Sequence, residues 1–220
     1  MINEIHHRVK NNLQTIAALL RLQARRTGSP EVAEMLQESI NRILSIAVVH
    51  EFLAHEENSN VNIREVSQRI VTEVSRSILD PEKHIRFSLE GDDILLPTQQ
   101  ATSCALIINE LLQNSVEHGY ASQSEGTITV RLRQNEDHHQ LEVIDDGQGL
   151  TEDGERGQAR SLGLQIVQTL VSEDLKGRFE LRNVTADDCS GDAVGASHGT
   201  RALVSFPKQF RTTPQFGIKG

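Results

Sequence analysis

The chain has few cysteines, no long apolar run and no surplus of positive charge, and each shortage excludes something. Cysteine occurs twice in 220 residues, at Cys104 and Cys189, far apart and in no CxxC pair. Neither a disulfide framework nor a zinc site is suggested, and both thiols are expected to be free. No apolar run approaches the roughly 20 residues a membrane-crossing helix needs, and the N-terminus lacks the apolar core of a signal peptide. Acidic residues outnumber basic ones 31 to 22, giving a formal net charge of −9, the opposite of the basic balance of a phosphate-backbone binder. We therefore expect a soluble, cytoplasmic protein with no nucleic-acid partner and no membrane contact by this segment. The 37 % hydrophobic content suffices for the core of one large domain or two small ones.

Two long helices open the chain. Ile5, Val9, Leu13, Ile16 and Leu20 recur at helical spacing, which predicts an amphipathic helix from Ile2 to about Arg26, ended by Gly28-Ser29-Pro30. Leu36, Ile40, Ile43 and Ala47 repeat the pattern and predict a second helix from about Glu31 to Ala54, with Ser29 and Pro30 as start signals. Joined by a short turn they make an antiparallel hairpin whose core is too small to stand alone. A second copy completing a four-helix bundle, hence a homodimer, is the expectation.

The polar stretch Glu56-Glu57-Asn58-Ser59-Asn60 reads as a linker. Beyond it the pattern mixes helices at about 63–79, 98–118 and 162–174 with strands near 84–89, 127–133, 139–145, 178–183 and 200–206. That mixture predicts an α+β domain, an antiparallel or mixed sheet with helices packed on one face. The small, polar residues 184–199 are expected to form a mobile loop and residues 208–220 a frayed tail. The expected division is a hairpin at 1–56, a domain at 60–207 and the tail.

The stretch EIHHRVKNNLQ, residues 4–14, sets two histidines side by side on the first helix. With Ile5 at zero, the predicted stripe centres near about 40° on a helical wheel, His6 lies about 60° from that centre and His7 about 160°. His6 thus borders the core, while His7 faces solvent beside Glu4, Asn11 and Gln14. A neutral imidazole there could act as a nucleophile, although a solvent-facing histidine is more often plain surface.

Three further segments carry chemistry. In NELLQNSVEHG, residues 109–119, Glu110, Asn114 and His118 stand four apart on a predicted amphipathic helix. A carboxylate, an amide oxygen and an imidazole in a row suit Mg²⁺ held with several waters against polyphosphate; a polar helix face is the plainer alternative. In VIDDGQGL, residues 143–150, an apolar strand ends in Asp-x-Gly-x-Gly. The Asp145 carboxylate can accept a hydrogen bond from an adenine amino group, and Gly147 and Gly149 let backbone approach a ligand closely. In SLGLQIV, residues 161–167, Gly163 opens a helix whose first amides could face phosphate.

In this order the three segments resemble the N, G1 and G2 boxes of the GHKL family of ATP-binding domains (gyrase, heat-shock chaperone, histidine kinase, MutL). Gly199-Thr200 before RALVSFP is similar to that family's last adenine-side position. Adding His7-Arg8-Val9-Lys10-Asn11 narrows the resemblance to sensor histidine kinases of the second dimerisation and phosphoacceptor subfamily, relatives of the HWE kinases. HWE kinases proper carry a tryptophan in the G1 region and this chain has none, although His118 resembles their N-box histidine.

The resemblance implies an ATP-dependent protein-histidine kinase of a two-component system. It makes His7 the phosphoacceptor, with transfer onward to an aspartate of a response-regulator receiver domain. It implies ATP and Mg²⁺ as cofactors, with Asn114 and Glu110 at the metal. Asn109, His118, Asp145, Gly147, Gly149 and Leu150 would line the nucleotide site, with Gly163, Leu164 and Thr200 closing it. Larger histidine-kinase families place an acidic residue directly after the acceptor, where Arg8 stands here. Glu4, one turn back, or Asn11, one turn forward, is then left to orient the ring, and Arg8 to steady the phosphoryl group. Glu117 occupies a position where many relatives have lysine, so phosphate neutralisation would fall to Arg156 or Arg160 in a short lid, 150–161. A sensor domain is expected to be missing or supplied elsewhere. Two other readings compete: a serine kinase of the anti-sigma-factor type, which has no need of the hairpin, and a non-catalytic phosphotransfer or scaffold dimer.

Overall fold

The computed structural model describes residues 2–55, 60–77, 83–150, 162–185, 188 and 198–208, with side chains left aside at 2–7, 34, 38, 45, 48–55, 77 and 162. Most of the 184–199 loop, the lid with Arg156 and Arg160, Cys189 and the tail beyond Lys208 lie outside the described residues, as does most of the linker. So do the side chains of Glu4, His6 and His7.

Helices α1 (Ile2–Arg26) and α2 (Pro30–His55) form the expected hairpin. The Ser29 hydroxyl accepts the Val32 amide at 3.4 Å, an N-cap directly ahead of Pro30 at the first helical position. The apolar stripe of α1 departs from expectation. Ala17 is buried, Val9, Leu13, Leu20 and Ala24 are half-buried, but Ile16, Leu19 and Leu22 are 45, 57 and 51 % exposed. Ile16 belongs to a second apolar face. The face turned to α2 therefore centres about 40° further round the wheel than predicted, which puts the helical position of His6 within about 20° of it and that of His7 about 120° away. On α2 the predicted stripe holds: Ile40 and Ala47 are buried and Leu36 and Ile43 half-buried, while Val32 and Met35 stay exposed.

The second unit begins with β1 (Asn60–Asn62), α3 (Ile63–Ser77) and β2 (His84–Gly91), followed by β3 (Leu95–Pro97) and α4 (Thr98–Asn114). Then come β4 (Glu125–Gln134), β5 (His138–Asp145), α5 (Leu162–Thr169), β6 (Arg178–Asn183) and β7 (Thr200–Pro207). The short strands β1 and β3 pair antiparallel, Val61 opposite Leu96. The other five form one mixed sheet in the order β2-β4-β5-β7-β6. All neighbours in it are antiparallel except β2 and β4, which α4 separates in sequence, as a parallel pair requires a crossover.

Alternation along the strands sends Ile128, Val130 and Leu132 of β4, Leu141 and Val143 of β5, and Val204 and Phe206 of β7 into one core with α3, α4 and α5. The opposite sheet face is held by ion pairs. Glu142, 1 % exposed in its side chain, meets Arg201 at 2.6 Å and Arg131 at 3.4 Å, and Arg131 meets Glu90 at 3.0 Å. Helix α4 is not amphipathic as expected. It is buried almost all round from Gln100 to Gln113, because it packs on α2 of the hairpin as well as on α3 and α5.

Candidate nucleotide site

The site forms where α4 ends and β5 stops. After Asn114 the helix widens into a π-helical turn, Ser115–Gly119, and such turns often mark functional positions. Of the four-residue row read from sequence, Asn114 and His118 line the same cleft and Glu110 does not. Glu110 is buried at 3 %, Asn114 is half-buried, and His118 is exposed. Asn114, Ser115 and His118 line a cleft with Leu111, Gly149, Leu164, Thr200 and, at its base, Asp145. Glu110 instead points to the hairpin, where Arg42 of α2 grips it from both sides: Nε to Oε1 at 2.7 Å and Nη2 to Oε2 at 2.9 Å.

Asp145 ends β5 and Asp146 follows it, and the structure separates their roles. Asp146 is structural: its Oδ1 lies 2.6 Å from the hydroxyl of the fully buried Tyr120 and accepts the Thr127 amide at 2.8 Å. Asp145 is 3 % exposed and lines the cleft. Its Oδ1 accepts the amides of Gly147 and Thr200, each at 3.1 Å, and its Oδ2 accepts the Ser115 hydroxyl at 3.0 Å. Burial holds this carboxyl above its ordinary pKa, against the Gly147, Ser115 and Thr200 hydrogen bonds that pull it down. A carboxylate oxygen accepts about two hydrogen bonds, so Oδ1 is full and Oδ2 retains one acceptor position for a donor.

Glycine is needed where backbone closes around this group. A methyl on Gly147 would lie 2.3 Å from the Gly119 carbonyl oxygen, and Gly199, at φ +129°, would place one 2.0 Å from the carbonyl oxygen of Asp145. At the mouth, Asn183 of β6 accepts the Leu150 amide at 2.6 Å and donates to its carbonyl at 3.2 Å, fixing the point where the 151–161 segment departs.

The predicted nucleotide residues Asn114, His118, Asp145, Gly149, Leu164 and Thr200 therefore share one cleft. Gly147 supports Asp145 from behind, and Gly163 sits against Glu110 and Asn114. Asn109 is 3 % exposed, and its Nδ2 and the Nδ2 of Asn114 are buried without a hydrogen-bond partner. On α1, Arg8 and Asn11 are exposed. Ser115, Asn183 and Arg42 were not expected. Ser115 was readable as a polar residue directly after Asn114; the other two meet their partners only through the fold. Cys104 is buried, which pushes its thiol pKa far up and leaves it unreactive.

A buried carboxylate at a strand end, beneath a polar helix terminus and glycine-lined backbone, defines an ATPase-type nucleotide cleft on a mixed sheet. Residues 99–209 match the family described as histidine kinase-, DNA gyrase B- and HSP90-like ATPase, and the chain belongs to that family. Residues 4–78 match a second family, described as histidine kinase. The chain is 44 % identical over 183 residues to sensor histidine kinase PdtaS of Mycobacterium tuberculosis, covering 83 % of this chain and 36 % of the relative. Against PdtaS of Mycolicibacterium smegmatis the identity is 41 %, covering 83 % and 37 %. The chain thus spans little more than a third of these relatives. Among solved structures, the histidine kinase domain of the Erythrobacter litoralis blue-light-activated histidine kinase superposes with a TM-score of 0.63 at 21 % identity, covering 94 % of this chain and 92 % of that one. The catalytic domain of histidine kinase ThkA gives 0.52 at 16 %, covering 70 % and 98 %. These likenesses carry the fold: a helical hairpin followed by an α+β sandwich with a mixed sheet. Among the described residues, no helix is long and apolar enough to cross a membrane.

Proposed function

We propose that the chain is the core of a cytoplasmic two-component protein-histidine kinase, a homodimer that phosphorylates His7 from Mg·ATP and passes the group to an aspartate of a response-regulator receiver domain. The division of labour follows the expected one, hairpin 1–56 as dimerisation and acceptor unit and residues 60–207 as ATP-binding unit. The observation that carries the reading is the joining of two family-matched units, a hairpin bearing His7-Arg8-Val9-Lys10-Asn11 and a cleft whose one open carboxylate acceptor belongs to Asp145.

Asp145 accepts the adenine amino group at Oδ2, the position its other partners leave open. Asn114, whose Nδ2 is buried without a partner, would donate to a phosphate oxygen and offer its Oδ1 to the metal. Mg²⁺ supplies charge neutralisation on the polyphosphate. Asn114 and Glu110 would hold it, and Arg156 and Arg160 would add positive charge. His7 uses its imidazole lone pair to form a P–N bond as the bond to the β-phosphate oxygen breaks, ADP leaves, and the ring proton passes to solvent. Glu4 or Asn11 orients the ring and Arg8 meets the transferring group, so positioning and charge carry the catalysis. The exposed Ile16, Leu19, Leu22, Val32 and Met35 are covered by the second copy.

The test is incubation with γ-labelled ATP and Mg²⁺ followed by mapping of the label. Phosphate should appear on His7, labile in acid and stable in base, and His7→Gln should abolish it while nucleotide binding and dimerisation persist. Acid-stable phosphoserine would favour the serine-kinase reading. Phosphate on His6 would overturn the acceptor assignment.

A further inference from the structure

Arg42 and Glu110 are 68 residues apart and belong to the two different units, yet they make a bidentate pair with side chains 17 and 4 % exposed. Such a fork is the most directional ion pair available to protein side chains. A carboxylate this buried would be costly without its countercharge, so the pair fastens α4 onto α2.

The fastening is at the phosphate end of the cleft. A methyl on Gly163, at the start of α5, would lie 2.8 Å from Glu110 Oε2 and 3.8 Å from both amide atoms of Asn114. Glu110, Asn114 and the start of α5 thus converge at one spot, and Arg42 from the hairpin reaches into it. Both Glu110 oxygens are committed to that guanidinium.

The position of Arg42 along the hairpin completes the argument. It lies 12 residues beyond Pro30, about 18 Å from the turn, whereas His7 lies 19 residues before Arg26, about 28 Å from it. Along the hairpin axis the residue that grips Glu110 thus stands about 10 Å nearer the turn than the backbone position of His7, and in-line transfer needs the reacting atoms about 3–3.5 Å apart.

We infer that Arg42 is a positioning residue: its fork on Glu110 clamps the nucleotide-binding unit to the hairpin in a waiting position, and Mg·nucleotide competes with Arg42 for the Glu110 carboxylate and opens the clamp. The inference rests on the assignment of His7 and of Glu110 above. It differs in prediction from a purely structural ion pair, whose loss would loosen the molecule without improving ligand binding.

The experiment uses the whole chain with a non-hydrolysable ATP analogue and Mg²⁺. Small-angle scattering and hydrogen exchange over α2 and α4 read the docking, and calorimetry reads the affinity. In the wild type the Mg-analogue should raise both the radius of gyration and the exchange of α2; the analogue without Mg²⁺ should do neither. Arg42→Met should be undocked without ligand and should bind Mg-analogue about fivefold or more tighter, the lower end of ordinary coupling between two sites. Arg42→Lys, which keeps the charge and loses the fork, should fall between. If Arg42→Met fails to fold by circular dichroism, Arg42→Lys decides alone: wild-type docking and affinity overturn the clamp. A fall in Mg-analogue affinity in a folded variant also overturns it, since Arg42 would then assist the ligand. Docking and affinity are read without phosphorylation, so a clamp that behaves as stated in a chain that never labels His7 would refute the kinase reading and leave the clamp standing.

Discussion

The hairpin and the nucleotide-binding unit solve the same problem in opposite ways. The described part of the hairpin buries only Ala17, Ile40 and Ala47 among its hydrophobic residues and leaves five large ones open, whereas the second unit closes thirty buried residues into a single cluster around its sheet. The first unit is thus an unfinished core and the second a finished one. An unfinished core makes folding depend on a partner, and a finished one frees its surface features for binding. In this chain the open apolar face lies with the unit that carries His7, and the closed core with the unit that would hold nucleotide.

The largest effect should come from blocking completion of the hairpin. Leu19, 57 % exposed, is placed to be buried in the dimer, and burial of a leucine is worth about 1.5–3 kcal/mol. Leu19→Glu alters one such residue in each copy, so the dimer dissociation constant should rise by roughly a hundredfold or more. Sedimentation across a concentration series reads this, and nucleotide affinity should stay at the wild-type value. A dimer of unchanged affinity would mean that the exposed face is not the interface.

The finished unit should respond at a point. Asp145→Asn replaces an acceptor oxygen with a donor against the adenine amino group and disturbs the carboxylate's bonds with Ser115, Gly147 and Thr200. Loss of such a buried partner costs about 1–3 kcal/mol, so ATP affinity should drop by about 5- to 150-fold with the dimer intact. The wild-type affinity should also depend on pH. The carboxyl's pKa is raised by burial, and only the ionised form offers both oxygens as acceptors. Binding should therefore weaken as pH falls toward that raised value, at a higher pH than an ordinary aspartate would give, and Asp145→Asn should lack this dependence in calorimetry.

What was legible in the sequence follows the same contrast. Helices α1 and α2, and the strands β4, β5 and β7 with their alternating patterns, were readable because each shows its own period over eight or more residues. The strands β1 and β3, three residues each, are too short to show one. The parallel pairing of β2 with β4 is a choice between distant segments and leaves no local mark. Of the expected row, Asn114 and His118 line the cleft while Glu110 is turned to Arg42, a partner 68 residues away that leaves no local mark. The single stripe read on α1 split in two: one apolar face meets α2, and the other, with Ile16, Leu19 and Leu22, is the face the proposed second copy would cover. Hydrophobic periodicity sums the two without telling them apart.

The smallest effect sharpens the comparison most, because it asks how finished the second unit is. The Ser115 hydroxyl, 3.0 Å from Asp145 Oδ2, is brought there by the π-helical turn, and it shares with the Gly147 and Thr200 amides the work of offsetting the carboxylate's burial. If the cleft is preorganised, these donors hold the carboxylate in place before nucleotide arrives, and removing one costs orientation rather than a direct ligand contact. Ser115→Ala should then reduce ATP affinity by about 0.5–1.5 kcal/mol, the net worth of one hydrogen bond. It should also move the acid limb of the affinity profile to higher pH, because the neutral carboxyl loses less than the anion when the Ser115 donor is gone. Calorimetric titration from mildly acidic to neutral pH reads both quantities. A loss of affinity with an unmoved acid limb would mean that Ser115 touches the nucleotide itself, and that Asp145 is held by its two backbone amides alone.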